Sequence, residues 1–138
     1  MTDRCNLRCF YCMPEQGIQY LPKNELLSYE EMLRLVGLLA GLGVRKVRLT
    51  GGEPFVRRDL VPFMERLAAL PGIDDLSLTT NGVLTAPHVP ALARLGVRSR
   101  EPEPGHAGPR AVLPDHPARR AAARRWTLFT RCWKPAFR

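Results

Sequence analysis

Residues 26–98 switch repeatedly between helical and strand periodicity, and that alternation leaves the chain few architectures. Ser28 and Glu31 form a capping-box pattern ahead of Met32, Leu35, Val36, Leu39 and Leu42, which recur at helical spacing until Gly43 ends the run. Val44 to Thr50 is short, with Val44, Val47 and Leu49 apolar, and reads as a strand running into Gly51-Gly52-Glu53-Pro54. Asp59 is placed to cap a second helix with Leu60, Phe63, Leu67 and Leu70 on one face. Pro62 is tolerated in the first turn of that helix, and Pro71-Gly72 closes it. Leu76 to Thr80 reads as the next strand, ending at Asn81-Gly82. Thr85 then caps a helix through Leu95, Gly96 closes it, and Val97-Arg98 opens another strand. Helix, strand, helix, strand, helix predicts βαβ units, an α/β fold with parallel strands.

In parallel α/β sheets ligands gather at the carboxyl ends of the strands. Gly51-Gly52-Glu53-Pro54 and Thr79-Thr80-Asn81-Gly82 both fall at such an end. A third motif lies in Asp3-Arg4-Cys5-Asn6-Leu7-Arg8-Cys9-Phe10-Tyr11-Cys12-Met13-Pro14, where three cysteines are spaced Cys-x3-Cys-x2-Cys. If this loop follows a strand, all three motifs converge on one rim.

Three cysteines on one short loop can set three thiolates around one metal centre. Structural zinc takes four ligands, usually from two pairs, and the chain has no second pair. Soft thiolates in this number suit a 4Fe-4S cluster with three irons anchored and one left open. An open iron can chelate the amino and carboxylate groups of S-adenosylmethionine (SAM), whose one-electron cleavage releases a 5'-deoxyadenosyl radical. Zinc, a disulfide or inert thiols are the competing readings, and Cys132, beside Trp133, reads as an incidental thiol.

Other residues carry weaker signals. A Gly-Gly pair after a strand is commonly an ordinary turn, though glycine also permits close backbone approach to a ligand. Glu53 can accept hydrogen bonds from a cationic amine. Thr79 and Asn81 suit a turn, or can orient a polar substrate from a strand end. Arg48 sits inside a strand, where it either pairs with an acid or faces a ligand, and its guanidinium suits phosphates. For Arg57 and Arg58, a solvated position fits at least one of the two.

With the aromatic Tyr11 directly before the third cysteine, the loop resembles that of the radical SAM superfamily. The segments Val47-Arg48-Leu49-Thr50-Gly51-Gly52-Glu53-Pro54, Arg57-Arg58-Asp59-Leu60 and Leu78-Thr79-Thr80-Asn81-Gly82 narrow the resemblance to the GTP 3',8-cyclases of molybdenum cofactor biosynthesis, over about residues 2–98. The resemblance implies a partial radical SAM (βα) barrel and conversion of GTP into 3',8-cyclo-7,8-dihydro-GTP, a lyase activity. It implies a 4Fe-4S cluster on Cys5, Cys9 and Cys12, and SAM against Tyr11, Gly51, Gly52 and Glu53. It places GTP against Arg48 and Thr79 and calls for an electron donor protein. Residues that act directly in catalysis are not identified by it.

The sequence also departs from that family. The family has a strand with a substrate-binding Arg before the cysteine loop, whereas this sequence opens at Met1-Thr2-Asp3, so an internal start is expected. After Gly96-Val97-Arg98 the family continues into Asn-x-Ser-x-Asp, but here Ser99-Arg100-Glu101-Pro102-Glu103-Pro104 follows. Of residues 99–138, 23 are Pro, Ala, Arg or Gly, the products of GC-rich codons, which predicts out-of-frame translation from close to codon 98. The family's later strands and its carboxyl-terminal cysteine triad are then absent, and no catalysis is expected of the chain alone.

Charge follows the same division. Residues 1–98 carry 12 Lys or Arg against 10 Asp or Glu, whereas residues 99–138 carry 9 against 3, so the +8 net charge belongs mainly to the tail. With only five Val, Leu or Phe, that tail offers too little apolar surface to offset ordering, and disorder is expected, apart from a short basic helix considered over 118–126. Trp126, Phe129 and Trp133 near Arg residues define a rival reading as a basic nucleic-acid-binding protein, disfavoured because no fold motif accompanies the charge. Another radical SAM maturase is the rival within the same chemistry. The absence of a signal peptide or long apolar run, together with free thiolates, predicts a cytoplasmic protein with no membrane partner.

Overall fold

The computed structural model describes residues 1–9, 12 and 16–100. The expectations for Tyr11, Cys132 and the 101–138 part of the tail lie outside the described residues. Among the described residues three helices and three strands alternate: α1 (Tyr29–Gly41), β1 (Lys46–Leu49), α2 (Leu60–Ala68), β2 (Asp75–Thr79), α3 (Val89–Arg94) and β3 (Arg98–Arg100). The strands form one sheet in the order β1-β2-β3, and both pairings are parallel. Arg48 lies opposite Ser77, and Thr79 opposite Arg100. β3 takes in Ser99 and Arg100, two residues past the point where the strand pattern fades in the sequence.

The period of a strand separates the two faces of this sheet. Leu76 and Leu78 of β2 are buried, while Asp75, Ser77 and Thr79 alternate with them. Leu49, Leu76 and Leu78 meet Leu33 of α1, Phe63, Met64 and Leu67 of α2 and Leu92 of α3 in one core. The opposite face bears Lys46, Arg48, Ser77 and Thr79, so helices cover one side and polar side chains the other.

Local chemistry explains where the elements begin and end. The Ser28 hydroxyl accepts the Glu31 amide at 3.2 Å, and Glu31 accepts the Ser28 amide at 2.7 Å, completing the capping box. At the other end Gly43 adopts φ 96°, and the Val44 amide still serves the Leu39 carbonyl. β1 therefore starts at Lys46 rather than at Val44.

Three expectations change. The core face of α1 centres on Leu33, with Tyr29, Met32 and Val36, whereas Leu35 and Leu42 are 47% and 83% exposed. At 100° per residue those two point away from the sheet. Asp59 precedes α2 but makes no side-chain cap bond, because it adopts the left-handed conformation at φ 58°. Thr85 does not cap α3 either: its hydroxyl is fully buried 3.2 Å from that of Thr80, and a 3-10 turn, Ala86–His88, intervenes.

Candidate functional site

The carboxyl ends of β1 and β2 meet the cysteine loop. Past β1, the Gly52 amide donates to the Thr2 carbonyl at 2.7 Å and the Glu53 amide to the Arg4 carbonyl at 2.8 Å. Residues 2–4 thus run alongside the Gly-Gly segment and deliver Cys5 to the rim. The contact is too close for side chains. A Cβ on Gly51 would strike the Thr2 backbone, and one on Gly52 the backbone of Asp3 and Arg4. Both glycines keep an exposed side. The close approach that glycine permits here is first to the chain's own backbone.

Glu53 is fully buried. Its carboxylate accepts the Phe55 amide at 3.1 Å, the Asn81 amide at 2.7 Å and the Thr80 hydroxyl at 2.8 and 2.9 Å. Burial pushes this carboxyl above its ordinary range, against the opposing pull of the same hydrogen bonds. The expectation that Glu53 receives a ligand amine is therefore corrected: its oxygens are turned inward and occupied by the turn after β1 and the loop after β2. Thr80, which the sequence reading passed over, completes this network by accepting the Gly82 amide at 3.1 Å. The signal available was its place between Thr79 and Asn81 at a strand end.

Asn81 joins the two halves of the site. Its backbone serves Glu53, while its side-chain amide donates to Asn6 Oδ1 at 2.9 Å and lies 3.6 Å from Cys5 Sγ. The Leu7 amide also reaches Cys5 Sγ, at 3.4 Å. Cys5 and Cys9 pack with Leu7, Val83 and Leu84 in a small apolar cluster separate from the main core. Burial raises the Cys5 thiol above its usual value, opposed by the Leu7 amide and reinforced by the charge of Glu53. Cys12 is exposed, and its amide closes a turn on the Cys9 carbonyl at 3.0 Å.

Cys5, Cys9 and Cys12 are not joined in disulfides. Among the described residues no three His, Cys, Asp or Glu side chains are drawn close enough to hold a metal ion. The donor chemistry nonetheless fits an iron–sulfur cluster: three soft thiols share one loop, and two N–H groups already point at one of the sulfurs. The loop is also tied at both ends. Asp3 accepts the Leu21 amide at 2.6 Å, and the Arg4 guanidinium lies over the Tyr20 ring.

Arg48 is exposed on the open face, with Nε 3.5 Å from Ser77 Oγ and no acidic partner among the described residues. Thr79 ends β2 on that same face, half-exposed. Arg57 and Arg58 part company. Arg57 donates to the Met1 carbonyl at 3.0 Å and the Leu27 carbonyl at 2.7 Å and stacks over Tyr29, whereas Arg58 is exposed.

Comparison with known proteins places the chain in a family. Residues 1–100 match the family model of the radical SAM superfamily. A GTP 3',8-cyclase of Rhodopirellula baltica is 52% identical over 99 residues, 71% of this chain and 28% of that protein. One from Thermodesulfovibrio yellowstonii is 53% identical over 99 residues, 71% of this chain and 31% of that protein. The mitochondrial GTP 3',8-cyclase of Arabidopsis thaliana is 48% identical over 99 residues, 72% of this chain and 25% of its own length. The chain therefore spans less than a third of the length of these curated relatives.

Proposed function

Because this chain belongs to the radical SAM superfamily, we propose that it carries the cluster-binding and part of the nucleotide-binding machinery of a GTP 3',8-cyclase. The observation that carries this reading is the convergence of three motifs at one rim, where Asn81 touches both Glu53 and the cysteine loop. In it Cys5, Cys9 and Cys12 hold a 4Fe-4S cluster. When bound, that cluster supplies the electron that cleaves the SAM sulfonium.

The chain's own residues bind and orient. Tyr11 and the exposed side of Gly51-Gly52 contact SAM, the small glycines leaving room for its amino group. Glu53 acts from behind, fixing the loop after β2. Arg48 and Thr79 share the open face of the sheet, where a guanidinium and a hydroxyl suit the phosphates and sugar of GTP. In this reading the sheet is an arc of a (βα) barrel whose interior is the polar face, an assignment supported by helices on one side and polar residues on the other. A reducing, cytoplasmic setting and an electron donor protein belong to the same reading. No described helix is long and apolar enough to cross a membrane.

Anaerobic reconstitution with iron and sulfide tests the cluster, read as iron content and the visible charge-transfer absorption. GTP binding to the reconstituted chain, compared with Arg48→Ala and Thr79→Ala, tests the substrate. A chain that takes up no cluster, or binds GTP equally well without Arg48 and Thr79, would sink the corresponding half of the proposal.

A further inference from the structure

Asn81 is more than a turn residue. Its orientation is determined by hydrogen bonding: Oδ1 accepts the Val83 amide at 3.1 Å, so the other end of the amide must be the NH2 group. That group has two hydrogens and two acceptors in reach, Asn6 Oδ1 at 2.9 Å and Cys5 Sγ at 3.6 Å. The backbone of Asn81 is held in turn by the buried Glu53 at 2.7 Å. A residue pinned at three atoms, two of its side chain and one of its backbone, therefore presents an N–H to a cysteine 76 residues away.

We propose that Asn81 is a positioning residue for the iron–sulfur cluster, donating an N–H···S bond to Cys5 that holds this ligand in place and raises the cluster's reduction potential. The inference rests on the cluster reading given under Proposed function. The physical basis is charge. A neutral thiol is a weak acceptor, whereas a cluster-bound sulfur carries negative charge that grows on reduction. An N–H donor thus stabilises the reduced cluster more than the oxidised one. With the Leu7 amide at 3.4 Å, Cys5 Sγ has two such donors among the described residues, and of these the one from Asn81 can be removed by changing a side chain.

Two substitutions separate this role from the turn. Asn81→Asp keeps an oxygen for the Val83 amide and replaces the NH2 by a second oxygen facing sulfur. Asn81→Ser also keeps a local acceptor for that amide but is too short to reach Cys5. Asn6→Ala serves as the control, since it removes the neighbouring acceptor and leaves the N–H···S contact. The readouts are iron content and the midpoint potential from an EPR-monitored redox titration of the reconstituted full chain, with apo-chain melting as the check on folding.

The expected result is a more negative midpoint in both Asn81 variants, larger for Asp, with Asn6→Ala close to the parent. Loss of iron from both Asn81 variants, with melting unchanged, supports the positioning half directly. An unchanged potential at full iron content overturns the inference while leaving the cluster reading intact. A shift that Asn6→Ala reproduces, or iron loss that only follows loss of folding, overturns it as well. If the parent chain itself takes up no cluster, the underlying reading fails and this one falls with it.

Discussion

Gly52→Ala is the sharpest perturbation the rim allows. Gly52 lies outside the left-handed region, so alanine meets no backbone strain there and the effect comes from contact alone. A Cβ at this position would sit 2.6 Å from the Arg4 carbonyl carbon and 3.0 Å from the Asp3 oxygen, with the Arg4 oxygen closer still. All three are backbone atoms, so no side chain can swing aside. Residues 3 and 4 must retreat by roughly 1 Å to regain ordinary contact. That movement breaks or stretches the 2.7 and 2.8 Å bonds through which Gly52 and Glu53 hold Thr2 and Arg4.

Two backbone hydrogen bonds of about 0.5–1.5 kcal/mol net each put the loss near 1–3 kcal/mol. Reduced freedom of the unfolded chain returns roughly 0.5 kcal/mol. For a domain of this size the remainder corresponds to a melting shift of about 2–20 °C. Thermal unfolding of the apo chain measures it, and iron uptake measures the displacement of Cys5. If glycine were needed only to admit a cofactor, the apo chain would melt like the parent and only SAM binding would fall. An apo melting temperature unchanged by Gly52→Ala refutes the reasoning.

Other substitutions probe the neighbouring links. Glu53→Gln offers one oxygen where the structure uses two, so either the Phe55 or the Asn81 amide loses its acceptor, at about 1–3 kcal/mol, measured by urea unfolding. The same variant changes the pH profile. The raised carboxyl of Glu53 means that its ionisation opposes folding, a cost that sets in as pH rises above the ordinary carboxylate value and is complete above the folded one. Comparing parent and variant from about pH 4 to 8 should show the variant losing less stability as pH rises, and parallel profiles would count against it. Ser28→Ala removes the cap of α1 and should cost about 1 kcal/mol in unfolding experiments without altering iron uptake. Arg57→Ala should lower the melting temperature, because it removes donors to Met1 and Leu27 at once, whereas Arg58→Ala should leave it unchanged.

The elements were legible because each carried its own local signal. Capping by Ser28 and Glu31, the stop at Gly43 and the alternation of Leu76 and Leu78 are properties of a few neighbouring residues. What could not be read was the direction in which a side chain is used. Leu33 rather than Leu35 faces the core, since an apolar run on nearly every side of α1 leaves the choice to tertiary packing. Thr85 looked like a cap, but its hydroxyl is taken by Thr80, a partner that only the folded chain brings near. Glu53 looked like a ligand to an amine because its chemistry permits it, and nothing in its neighbours announced three internal donors.

The burial of Glu53 points to why the site is built this way. A carboxylate removed from water is costly unless its oxygens are satisfied, and here the donors come from both the turn after β1 and the loop after β2. Neither loop can move without stranding the charge, so two segments separated by 27 and 28 residues behave as one. Asn81 passes that constraint on to Cys5 and Asn6, and the Gly52 and Glu53 amides pass it to Thr2 and Arg4. The cysteine loop is thus held from two directions by groups that converge on a single buried acid. A loop with one exposed thiol gains from such a frame, because ligands held in register would lose less freedom on closing around a cluster.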